Sequence, residues 1–154
     1  MYKLFIFTLL LGSFVLADDL KTLPYETSIK SVQSIQQDAI IYGSGDRDVY
    51  VFIDPWCRYS RKFISMVSTN PAMLVKYRYH LYLYGIPRLH SQNAIAAVYR
   101  AEKPLKTLLN IMLNDDNITA PLTPLVEAKI SAIKDIAQKL NVNKRPFLII
   151  ENRK

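Results

Sequence analysis

The sequence predicts an α/β layer fold, and three observations predict it. Val49-Tyr50-Val51-Phe52-Ile53 is a continuous β-branched and aromatic run, the composition of a strand covered on both faces. Apolar stripes at helical spacing lie on either side of it, Ile29, Val32 and Ile35 before it, and Phe63, Ile64 and Val67, then Val126, Ile130, Ile133, Ala137 and Leu140, after it. Strand-like and helix-like segments alternate along the chain, which argues for a sheet with helices packed on it.

The elements follow in order. Glu26–Asp38 carries Ile29, Val32 and Ile35 on one side of a short helix. Ala39–Tyr42 is a short apolar run, and Gly43–Asp46 supplies a turn before the Val49–Ile53 strand. Asp54-Pro55 ends that strand. Arg58–Ser68 reads as a helix, closed by Asn70-Pro71. Leu74–Tyr84 reads as a second long strand, with Tyr77, Tyr79, Leu81 and Leu83 alternating with Lys76, Arg78, His80 and Tyr82. Gly85-Ile86-Pro87 breaks it. Ser91–Ala101 and Pro104–Leu113 read as helices. Thr123 and Pro124 are a helix cap and first-turn residue for the last helix. Asn141–Arg145 is a loop, and Pro146–Ile150 a final strand. The expected order from Ala39 onward is β-β-α-β-α-α-α-β.

The chain has 154 residues, a formal charge of +7 and one cysteine. Its length is that of one domain. One cysteine excludes an intrachain disulfide, a multi-cysteine zinc site and an iron–sulfur cluster. The basic excess has no long run, so it gives no indication of nucleic-acid binding. His80 and His90 form no metal-ligand spacing with Cys57, so no metal or cofactor is expected. No signature supports a cysteine protease built on them. Tyr77, Tyr79, Tyr82 and Tyr84 read as strand side chains rather than a base-stacking platform. Asp115-Asp116 reads as loop.

Residues 1–17 have the pattern of a cleaved secretory signal peptide. One lysine precedes an apolar run, and Val15-Leu16-Ala17 places small residues where a signal peptidase reads. The run Leu4–Leu16 is short of the roughly 20 residues that span a bilayer. No stable membrane span is expected after cleavage, and no cysteine follows to carry a lipid. Residues 18–38 form a lead-in and linker helix. In an oxidising compartment an unpaired thiol is either buried or used.

Cys57 stands at the start of the Arg58–Ser68 helix, where unpaired N–H groups and the dipole favour a thiolate. Arg58, Arg61 and Lys62 add positive potential. The alternative is a buried cysteine acting as a small hydrophobe.

The segment Val49–Lys62, V-Y-V-F-I-D-P-W-C-R-Y-S-R-K, resembles the active-site segment of the periplasmic disulfide isomerase (Dsb-type) family of thioredoxin-fold proteins. Asp54, Pro55, Cys57 and Tyr59 match its D-P-x-C-x-Y-C pattern, and Trp56 is similar to thioredoxin itself. Downstream, Lys144-Arg145-Pro146 stands where that family has a loop ending in a cis-proline beside the cysteine. The resemblance implies a thioredoxin-like domain over residues 39–154 with a helical insertion. It implies a periplasmic protein whose Cys57 is a nucleophile toward disulfides. Partners would be exported proteins with disulfides or thiols, and a periplasmic thiol reductant.

Three departures qualify the match. Ser60 replaces the second cysteine, so the site is a monothiol Cys-x-x-Ser variant that cannot close an internal disulfide. Isomerase-like or mixed-disulfide chemistry remains, with Ser60 expected as a hydrogen-bond partner of the thiolate. Arg145 precedes Pro146, where the family has a small or β-branched residue. Its guanidinium either lies near the sulfur or points to solvent. Trp56, Tyr59, Arg145 and Pro146 are the expected substrate-binding residues. Third, the resemblance implies a further strand and helix after the last strand, which the chain is expected to lack, with an exposed edge expected at Pro146–Ile150. The rival readings are a redox-inactive thioredoxin-fold binding or chaperone-like protein, and a truncated gene product.

Overall fold

The two apolar runs read as strands become the centre of one sheet. A computed structural model describes residues 23–152. The signal peptide expected at 1–17 lies outside the described residues. The elements are α1 (Tyr25–Gln33), β1 (Ile40–Tyr42), β2 (Arg47–Ile53), α2 (Arg58–Ser68), α3 (Pro71–Lys76), β3 (Tyr77–Leu83), α4 (Gln92–Arg100), α5 (Pro104–Leu113), α6 (Pro124–Lys139) and β4 (Phe147–Ile150). Strand order across the sheet is β1-β3-β2-β4. β2 and β3 run parallel, joined by the α2–α3 crossover, and β1 and β4 lie antiparallel to their neighbours.

Both faces of the sheet are covered, so β2 alternates between two cores. Val49, Val51 and Ile53 pack with Leu81, Leu83, Ile64, Ile95, Leu108 and Ile111, under α2, α4 and α5. Tyr50 and Phe52 pack with Tyr82, Val32, Ile133 and Ala137, under α1 and α6. The continuous apolar reading of β2 has this cause. β3 does the same: His80 and Tyr82 are as buried as Leu81 and Leu83.

Three elements differ from the sequence reading. The first helix stops at Gln33, and Gln36–Asp38 forms a separate 3-10 turn. Ser31 and Ser34 turn their hydroxyls back onto the carbonyls of Thr27 and Ser31, competing with helix continuation. Pro71 does not merely close α2; it opens the short helix α3 at its first position. Residues Leu74–Lys76, expected in the strand, belong to that helix. The β1–β2 turn fixes it there, with Ser44 N–H bonded to Leu74 O and Gly45 N–H to Tyr77 O. Gly43 makes this approach at φ +90, a conformation that disfavours a side chain. The cap on α6 is as expected: Thr123 Oγ1 accepts from the Val126 N–H.

Near the start of the two central strands, Asp48 on β2 binds Arg78 on β3 through two bonds of 2.7 and 2.9 Å. His80 Nε2 lies 2.7 Å from the same carboxylate. The Arg78 bonds hold the Asp48 carboxyl below its usual 3.8; burial opposes this and the His80 bond adds to it. A depressed carboxyl gives stability above its ordinary value that is lost as pH falls through the folded-state value. Asp48→Asn therefore lowers stability at neutral pH and flattens its decline below pH 3.8, read as urea midpoints against pH.

Candidate active site

The register of the sheet gathers three loops at one end. Ile53 ends β2 opposite Leu83, which ends β3, and Phe52 faces Phe147, which begins β4. Asp54–Cys57, Tyr84–Ile86 and Arg145–Pro146 therefore emerge side by side, at the carboxyl ends of the parallel strands.

Asp54 organises the first two loops. It is fully buried, and its carboxylate accepts from the Trp56 N–H at 2.8 Å, the Ser91 hydroxyl at 2.9 Å and the Ile86 N–H. Its carbonyl accepts from the Cys57 N–H at 3.1 Å. A buried carboxylate is tolerated where several donors converge on it. A Cβ on Gly85 would lie 2.8 Å from Ser91 Oγ, so a larger residue there would displace the hydroxyl that binds Asp54.

Cys57 is the N-cap of α2, in extended conformation, and its carbonyl accepts the first helical bond from Arg61 N–H at 2.9 Å. The first turn of α2 holds no acidic residue, so the helix dipole faces the cysteine unopposed. The residue is 6% exposed, and its Sγ donates to the carbonyl oxygen of Arg145 at 3.8 Å. The Arg145–Pro146 bond is cis.

Three expected roles take a different form. Ser60 is fully buried, and its hydroxyl accepts from the Asp54 N–H at 3.3 Å, bracing the loop instead of standing beside the sulfur as a bonded partner. Arg145 neither aims its guanidinium at the sulfur nor extends it into solvent. Nε donates to Tyr84 O at 3.0 Å and a terminal nitrogen to Gly85 O at 3.1 Å. The guanidinium carbon sits 3.9 Å from the centre of the Tyr84 ring. Arg61, counted as positive potential, bonds Pro55 O at 2.9 Å and is ion-paired with Asp115. Trp56 is half-buried against the first core, whereas Tyr59 is 60% exposed with Arg58 over its ring.

Sequence reasoning missed the roles of Asp54, Tyr84, Ser91 and Asp115. A clue was available for the first: an aspartate closing an apolar strand before proline can fold its carboxylate back onto the following N–H groups. Two concavities among the described residues, about 480 and 540 Å³, are lined mainly by residues of α1, β4 and the chain flanking it, with Asp46 and Asp48 in the first, and do not include Cys57.

No family model and no curated protein matches the chain. Solved structures do. A periplasmic thioredoxin-like protein from Salmonella enterica serovar Typhimurium is 14% identical, with a TM-score of 0.64 over 86% of this chain and 88% of that one. The thiol-disulfide exchange protein alpha-DsbA2 from Wolbachia pipientis is 13% identical, with a TM-score of 0.61 over 82% and 86%. A disulfide interchange protein from Neisseria gonorrhoeae is 17% identical, with a TM-score of 0.59 over 73% and 79%. The chain has a thioredoxin-like fold. The expected α/β class, with its helices inserted between β3 and β4, is therefore correct. Two of these neighbours are named for thiol-disulfide exchange or disulfide interchange, in line with the resemblance of the Val49–Lys62 segment.

The bracing of the loop can be measured. Asp54→Ala leaves three donors without an acceptor and is expected to cost about 3 kcal/mol or more in urea unfolding. Ser60→Ala removes one acceptor and is expected to cost about 1–2 kcal/mol in the same titration.

Proposed function

We propose that this chain is an exported thiol–disulfide exchange protein that acts on protein disulfides through Cys57 alone. One observation carries the reading: the only cysteine of the sequence caps the helix after the central strand, with its sulfur against the loop that ends in Pro146. Proteins of the same fold named for disulfide interchange and thiol-disulfide exchange support it.

The step conserves atoms and electrons. The Cys57 thiolate attacks one sulfur of a substrate disulfide; a new S–S bond forms as the old one breaks. The departing sulfur leaves as a thiolate and takes up a proton. Ser60 has no sulfur to attack the mixed disulfide, so a second thiol must release it. If that thiol belongs to the substrate, the result is isomerisation. If it belongs to a periplasmic reductant, that thiol attacks the Cys57 sulfur and the substrate leaves reduced; a second reductant thiol then frees Cys57 as the reductant's own disulfide forms.

An extended polypeptide is the substrate this reading assigns, with Trp56, Tyr59, Arg145 and Pro146 as the residues that would meet it. Export rests on residues 1–17, and cell fractionation with and without them tests the periplasmic location.

The chemistry is tested by incubating the protein with a scrambled-disulfide substrate and quenching in acid. Mass spectrometry is expected to find a reducible adduct on Cys57 that Cys57→Ser abolishes. Absence of any adduct at neutral pH contradicts the reading. The second reading, a binding protein without turnover, is favoured by the 6% exposure of Cys57. Capture of unfolded substrate by Cys57→Ala as strongly as by the unaltered chain would support it.

A further inference from the structure

The Arg145 side chain has a job that neither the exchange reaction nor the fold by itself assigns. Its main chain and its side chain face different partners. The carbonyl meets Cys57 Sγ at 3.8 Å. The guanidinium turns the other way and grips the loop after β3, through two main-chain carbonyls and the face of Tyr84. Tyr84 is itself anchored, its N–H bonded to Ile53 O at 2.8 Å and its ring edge-on to Phe52. The grip therefore ends on the central strand. The same β3 loop is held from its other side by Asp54, through the Ile86 N–H. Asp54 and Arg145 thus tie all three loops of the site into one unit.

We infer that Arg145 is a positioning residue, a clasp that sets its own carbonyl over Cys57 and aligns the loop before Pro146 for an extended substrate. The inference rests on the exchange reading above. It assigns the guanidinium to geometry, not to charge on the sulfur. The chemistry suits arginine: a planar fork can bond two carbonyls while its face lies on an aromatic ring, whereas a lysine ammonium has no planar face to lay on the ring while its N–H groups bond both carbonyls in that fixed geometry. The clasp has an effect of its own on the thiol. The carbonyl it holds accepts from S–H at 3.8 Å and so shelters the sulfur. With the clasp gone, the sulfur becomes more open to small reagents, and the loop that must align a peptide loses its register.

The two effects have opposite signs, which makes the test specific. Two rates are measured on the whole chain at neutral pH: alkylation of Cys57 by iodoacetamide, and exchange with a disulfide-bonded peptide. Arg145→Gln and Arg145→Lys are expected to behave alike, alkylation rising several-fold and peptide exchange falling several-fold. Tyr84→Leu leaves Arg145 intact, and is expected to shift both rates in the same directions by less. Thr123→Ala, which weakens the distant α6 cap, controls for lost stability and leaves both rates unchanged.

The inference is overturned if Arg145→Lys keeps both rates while Arg145→Gln lowers both, because charge then suffices. Unchanged rates in both Arg145 variants overturn it as well. Should an Arg145 variant not fold, Tyr84→Leu decides on its own, a rise in alkylation supporting the clasp and no change refuting it. If the unaltered chain exchanges with no disulfide, the exchange reading fails, while the alkylation arm still decides the clasp.

Discussion

A carboxylate without solvent holds this site together. Asp54 sits at the end of the central strand, fully buried, and satisfies N–H and O–H groups from its own loop, the loop after β3 and the start of the helical insertion. Such a charge persists only if every partner stays in place, since an unpaired one costs several kcal/mol. The requirement is mutual. The turn from Asp54 to Cys57 places the cysteine at the cap of α2, and the same carboxylate fixes the β3 loop on which Arg145 closes. The position of the sulfur is thus a consequence of a polar network, built on two apolar cores that supply the rigid sheet beneath it.

The site differs from a two-cysteine site in what it can finish, and the structure gives Ser60 a reason to be there. Its hydroxyl is turned inward onto the Asp54 N–H, bracing the loop from below. Arg145 braces it from above. Both residues, at positions where the resemblance implies a sulfur and a small side chain, serve the geometry of the loops. In the proposed exchange the Cys57 thiol, sheltered by the Arg145 carbonyl, depends on a second thiol from elsewhere for its release.

Much of the fold was legible because its signals are local. β2 announced itself by composition, α5 matched its expected bounds, and α6 by Thr123 and Pro124 at its start. The short helix α3 was not. Met73-Leu74-Val75 is an apolar run that continues into β3, and only the β1–β2 turn holds it helical. A Cβ on Gly45 would fall 2.1 Å from the Lys76 carbonyl carbon, so this contact depends on a glycine thirty residues upstream. Cys57 was legible from its place between strand and helix. The duties of Ser60 and Arg145 were not, because their partners are backbone groups of Asp54, Tyr84 and Gly85. A main-chain carbonyl has no residue signature, so a side chain that binds one looks in sequence like any exposed arginine.

The central claim is that the fold makes Cys57 a site and does not merely bury it. Its most direct test compares the second-order rate of Cys57 with a disulfide-bonded peptide in the native chain and in the same chain unfolded in urea, at one pH. A native rate well above the unfolded one is expected if the fold makes Cys57 a site. A native rate at or below it would mean that Cys57 is an inert core residue, and the account would be wrong.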